Sequence, residues 1–142
     1  MKDALYYTET NGAVVFGGGE PLLQSDFVHL ICQKLDSKIK KRIETSLNAP
    51  FSSIEPLIND MDKWIIDIKD INPKIYSKYT GTDNSLVLEN LEKLIARVRK
   101  EKLHIRLPQI PGYNTLKDVT ASADYLRKHY NIEPEIFKYI QI

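Results

Sequence analysis

Five short runs rich in β-branched residues, each separated from the next by a stretch with helical spacing, constrain this chain more than anything else in it. The runs are Ala13–Phe16, "KKRIETS" at 40–46, "KWIIDIK" at 63–69, "LHIRLPQI" at 103–110 and "EIFKYIQI" at 135–142. After the first, Ser25 or Asp26 caps a helix reaching about residue 35, with Phe27, Leu30, Ile31 and Leu35 on one apolar face. A short helix is predicted near 53–59. The longest starts near 83–85 and runs to about 102, with Val87, Leu91, Leu94, Ile95 and Val98 as its core stripe. Thr115 and Asp118 have the spacing of a capping box that opens another helix. Repeated β-α units imply parallel strands joined by right-handed crossovers. The predicted fold class is α/β, either a doubly wound sheet or part of a (β/α) barrel. Both place function at the carboxyl ends of the strands.

The 142 residues make one domain of ordinary size. A net charge of +1 calls for neither nucleic acid nor an acidic membrane surface. The basic runs at 38–42 and 97–102 read as solvated helix ends, where cations suit the helix dipole. A lone cysteine, Cys32, excludes a disulfide framework and a zinc site built on several thiolates. No signal-peptide core and no membrane-length apolar window occur, so a cytoplasmic protein is expected. His29 falls opposite the apolar stripe and reads as a solvated helix residue.

The strand ends carry the polar residues that point to chemistry. The first run ends in Gly17-Gly18-Gly19-Glu20, the second in Glu44-Thr45-Ser46, the third carries Asp67 and Lys69, and the fourth Arg106. Strand alternation sends Ile65, Asp67 and Lys69 to the same side. Charged groups on an interior face are costly unless paired or ligand-bound. Three acids and two bases around one mouth suit a zwitterion, with carboxylates and free main chain for an ammonium and Lys or Arg for a carboxylate. The glycines remove Cβ atoms and let main chain approach a ligand closely. The plainer readings are a tight glycine turn, an Asp67–Lys69 ion pair, and Arg106 paired with Glu44 or Asp67.

"NGAVVFGGGEPLLQSDF" at 11–27 closely resembles the "GGVTFSGGEPLLQ" region of radical S-adenosylmethionine enzymes. It looks most like pyruvate formate-lyase activating enzymes and related glycyl-radical-enzyme activases. "IETS" at 43–46 sits where those proteins carry a "DTNG"-like segment. "WIIDIKDINPKIYSKYTG" at 64–81 resembles their "LDLK" strand with its "IH…TG" continuation, and "IRLPQIPGYN" at 105–114 their "IR…VPGxxD" segment. The matches run in order over nearly the whole chain.

The resemblance implies part of a (β/α)6 partial TIM barrel, about five parallel strands with intervening helices. It implies an enzyme that cleaves S-adenosylmethionine reductively at a [4Fe–4S] cluster and installs a glycyl radical on a partner, a glycyl radical enzyme. The electron would come from a donor such as flavodoxin or ferredoxin. Gly18, Gly19 and Glu20 match the segment that binds the methionyl amine. Asp67 and Lys69 match the acid and lysine of the D-x-K strand, and Arg106 an arginine near the methionyl carboxylate. Glu44 and Thr45 match positions that hold a cation or the methionyl group. Glu44 is one methylene longer than the family's usual Asp, Ile65 stands where some members place Met, and Gly17 replaces a common Ser. The C-x-x-x-C-x-x-C cluster motif has no counterpart here, so residues 1–142 are expected to be a truncated radical S-adenosylmethionine core, inactive by itself. Three alternatives stand beside this. One is another radical reaction such as peptide modification. The second is a degenerate cluster-free module binding S-adenosylmethionine or a partner. The last is an ordinary barrel enzyme with a phosphate substrate, which the strand-end acids would repel.

Overall fold

The computed structural model describes residues 4–140. A helix α1 (Ala4–Glu9) leads into β1 (Ala13–Phe16), and a 3-10 turn (Pro21–Gln24) leads into α2 (Ser25–Lys34). Then come β2 (Lys40–Thr45), a short α3 (Phe51–Ile54), β3 (Lys63–Asp67), α4 (Pro73–Thr80), α5 (Ser85–Ile95), β4 (Leu103–Gln109), α6 (Leu116–Tyr130) and β5 (Glu135–Lys138). The five strands pair in parallel in the order β1-β2-β3-β4-β5. That order has no reversal, so the sheet has no topological switch point. Of the two α/β architectures open to the sequence, it is the partial barrel.

Alternation divides the sheet into two faces. Ile43, Trp64, Ile66, Ile105 and Leu107, each at most 1% exposed, join Val28, Leu91, Leu94, Val119 and Leu126 from the helices in one apolar core. The opposite face carries Glu44, Ile65, Asp67, His104 and Arg106, all half-buried. No helix among the described residues is long and apolar enough to cross a membrane.

Four expectations need correction. Helix α2 does not bury the Phe27–Leu30 face: those residues are 60% and 51% exposed, while Val28 and Cys32 are buried. Ser25, Val28 and Cys32 also recur at helical spacing, and periodicity cannot choose between two adjoining faces; packing against the sheet does. His29 is tethered rather than merely solvated: its Nδ1 lies 2.6 Å from Asp60 Oδ2, and Gln33 Nε2 donates to Asp60 Oδ1 at 3.0 Å. Helix α5 stops at Ile95 because Arg97 and Val98 both donate to Leu94 O, tightening and closing its last turn. Val98 is still buried, but beyond the helix. The strand expected over 135–142 is regular only to Lys138, and residues 141–142 lie outside the described residues.

Helix α4 had local signals that periodicity alone passed over. Asn72 caps Lys74 N, Pro73 occupies the first helical position, and Gly81 ends the helix at φ 82°. The capping box of α6 forms as expected: Thr115 Oγ1 accepts from Asp118 N, and Asp118 Oδ2 accepts from Thr115 N at 2.7 Å. The bonds that Thr115 N and Thr115 Oγ1 donate to it hold the Asp118 carboxyl below the usual range.

Strand β1 is an edge of the sheet among the described residues, and the groove beside it is lined by exposed Val15, Leu23 and Phe27. Unpaired edges with apolar flanks recruit other chains. Sedimentation velocity is expected to show self-association that grows with concentration and is suppressed by Val15→Lys. A monomer at every concentration refutes this.

Candidate ligand-binding cleft

The site is assembled from the carboxyl ends of β1, β2 and β3. After Phe16 the chain turns through Gly18 at φ 99°, a conformation that favours glycine, and a Cβ on Gly18 or Gly19 would meet only open space. Glu20 then caps the 3-10 turn, its Oε1 accepting from Leu22 N at 3.2 Å. The same oxygen accepts from Thr45 Oγ1 at 2.6 Å, and Oε2 accepts from Ser46 N at 2.9 Å and Ser46 Oγ at 2.6 Å. A carboxylate offers about four acceptor sites, and all are taken here. Glu20 is thus a latch between the glycine loop and the end of β2.

Gly18, Gly19, Glu20, Glu44, Thr45, Asp67 and Lys69 line one cleft of about 310 Å³, and Ser46 completes its wall. Arg106 is not in the wall but is bonded to two residues that are. Its Nε donates to Asp67 Oδ1 at 2.6 Å, and its Nη2 donates to Asp67 Oδ2 at 2.8 Å and Glu44 Oε1 at 2.5 Å. Phe137 lies under the guanidinium, 5.6 Å from ring centre to Cζ. The bond to Asp67, opposed by partial burial, holds the guanidinium still more firmly protonated than usual.

The Asp67–Lys69 ion pair does not form. Register places Asp67 beside Arg106 across β3 and β4, and the planar fork takes the carboxylate in two bonds. Lys69 is left facing the cleft with no ion pair among the described residues. Three carboxylates against two cations leave the cleft one negative charge.

Sequence reasoning missed the part played by Ser46, whose position directly after Thr45 was the only signal. It also passed over Asp70, 2% exposed, whose carboxylate accepts from Asn72 N, Asn114 Nδ2 and Ser122 Oγ at 2.9–3.1 Å. Asp70 knits the loop after β3 to the start of α6. Cys32 lies in α2, outside the cleft. Burial, reinforced by nearby Asp60, pushes its thiol up to about 11. No group of three or more His, Cys, Asp or Glu side chains among the described residues is placed to hold a metal ion.

No family model matches the sequence. The (2S)-3-sulfopropanediol dehydratase activating enzyme of Klebsiella oxytoca is 38% identical over 127 residues, covering 88% of this chain and 39% of that protein. The chain thus spans about two fifths of the length of the curated relatives it matches. A crystallised domain of the pyruvate-formate lyase-activating enzyme from Bacteroides vulgatus superimposes with a TM-score of 0.71 at 27% identity, covering 88% of this chain and 78% of that one. Coproporphyrinogen III oxidase of Escherichia coli, a radical S-adenosylmethionine enzyme, gives a TM-score of 0.64 over 99% of this chain and 36% of its own; at 12% identity it shows the fold alone. The chain is therefore a homologue of the glycyl-radical-enzyme activating enzymes, with the partial-barrel fold of radical S-adenosylmethionine enzymes.

Proposed function

We propose that the cleft binds the methionyl part of S-adenosylmethionine, and that residues 1–142 are the cofactor-binding portion of a radical S-adenosylmethionine core. The whole protein is proposed to install a glycyl radical on a partner enzyme, with an electron from a donor such as flavodoxin or ferredoxin. The observation that carries the reading is Lys69, the one cation lining the cleft, which has no ion pair among the described residues and faces carboxylates there. The cleft carries one negative charge, while S-adenosylmethionine, with its sulfonium, ammonium and carboxylate, carries one positive charge.

Each side chain has a distinct task in this reading. Lys69 takes the ligand carboxylate. Glu44, held by Arg106 yet half-exposed, faces the ammonium. Gly18 and Gly19 bring main-chain groups to the ligand without a Cβ in the way. Glu20 and Thr45 act through the loop they hold, since the Glu20 oxygens are saturated. The described residues do not fit a [4Fe–4S] cluster: cluster ligands are thiolates, and the one cysteine is buried and held protonated.

Isothermal titration of the chain with S-adenosylmethionine tests the reading. Saturable binding is expected, weakened at least about 10-fold by Lys69→Met, the loss of roughly one charge-assisted bond. Circular dichroism should leave the variant's fold unchanged. Undetectable binding by the parent chain, or equal binding by the variant, sinks the assignment.

A further inference from the structure

Leu47 follows Ser46 out of the cleft with φ 60°, a left-handed conformation that leucine rarely adopts, and its side chain is fully buried. Such a conformation persists only where its surroundings over-determine it. Here the surroundings are specific. Leu47 N donates to Thr45 Oγ1 at 3.0 Å. From α5, Asn90 Nδ2 donates to Leu47 O at 2.8 Å and to Ala49 O at 2.7 Å, one amide hydrogen for each carbonyl.

Those two acceptors settle which way the Asn90 amide points. Its Oδ1 is then left buried with no hydrogen-bond partner. A buried orphan oxygen is destabilising, so Asn90 is a poor choice if filling space is its only task. It occupies a core position, with Val87, Leu91 and Leu94 at helical spacing around it, where an apolar residue would ordinarily stand.

We propose that Asn90 is a positioning residue for the cleft. By holding the Leu47 and Ala49 carbonyls it keeps Leu47 left-handed. That places Leu47 N–H on the Thr45 hydroxyl oxygen and directs the hydroxyl hydrogen to Glu20 Oε1. It also presents Ser46 N–H and hydroxyl to Glu20 Oε2. A side chain deep in a helix thereby sets the latch that shapes the glycine loop. The functional half of this rests on the reading of the cleft as an S-adenosylmethionine site; the structural half does not.

The test compares the full chain with Asn90→Leu, which removes both donors and the orphan oxygen and fills the position with an apolar side chain of similar size, and with the smaller Asn90→Ala. Three readouts are followed: thermal unfolding, amide hydrogen exchange, and S-adenosylmethionine titration. At least one variant is expected to melt within a few degrees of the parent. In it, amide exchange at Ser46 and Leu47 should speed at least about 10-fold while β3 and β4 amides stay protected. Affinity for S-adenosylmethionine should fall at least about 10-fold. Unchanged protection at Ser46 and Leu47 overturns the clamp, and unchanged affinity overturns its role in the cleft. Unfolding of both variants makes Asn90 a general core support and overturns the proposal as well. If the parent chain does not bind S-adenosylmethionine, the reading of the cleft fails while the exchange measurement still decides the clamp.

Discussion

Glu20→Gln is expected to destabilise the chain by about 2–3 kcal/mol and to weaken S-adenosylmethionine binding at least about 10-fold, although the substitution exchanges a single oxygen for nitrogen. Each carboxylate oxygen of Glu20 accepts two hydrogen bonds. Whichever oxygen becomes an amide nitrogen, a donor then faces two donors. On one side these are Leu22 N and Thr45 Oγ1; on the other, Ser46 N and Oγ. The hydroxyls can turn away but the main-chain N–H groups cannot, so at least one stays unsatisfied. Bonds to a charged acceptor are worth roughly 1.5–3 kcal/mol each. The glycine loop has little else to define it, since Gly18 and Gly19 have no side chains to pack. Thermal unfolding should register a fall of roughly 10 °C. A shift smaller than about 1 kcal/mol would show that the loop holds its shape without the latch.

The second large effect is expected at Arg106→Met. Arg106 and Asp67 side chains are 25% and 17% exposed, and Glu44 43%. The cluster therefore falls between an exposed pair, worth about 0–1 kcal/mol, and a buried one, where removing a partner costs about 3–5 kcal/mol. We expect a loss of about 2 kcal/mol at neutral pH. The methionine stem keeps some contact with Phe137, so the loss reports charge more than packing. In the variant, Glu44 and Asp67 face each other without a counter-charge. Like charges that close repel, and salt screens both that repulsion and the ion pairs it replaces. The gap between parent and variant should therefore be widest at low ionic strength and narrow toward about 1 M salt. Urea unfolding at both ionic strengths measures it, and a gap that does not change with salt would mean that the guanidinium acts through packing alone.

These two effects illustrate which parts of the molecule local sequence carries. The strands, the α6 capping box and the chemistry of the strand ends depend on neighbours a few residues away, so period, cap and glycine signals reached them. The seven cleft-lining residues named from the sequence come together because a parallel sheet gathers the carboxyl ends of its strands at one end. That is topology, and the β-α alternation already implies it.

What tertiary structure decided were choices among partners of equal local merit. Asp67 had Lys69 two residues away on the same strand face, yet pairs with Arg106 39 residues away, because β3–β4 register sets the guanidinium beside it. Helix α2 had two adjoining faces at helical spacing, and packing on the sheet selected Val28 and Cys32. The unreversed strand order made the sheet a barrel segment rather than a doubly wound one. Asn90 reads locally as a flaw in an apolar stripe; only the left-handed turn at Leu47, 43 residues earlier, gives it something to hold. Period and capping are properties of a few consecutive residues, whereas register, facing and polar satisfaction are settled between segments far apart in the chain.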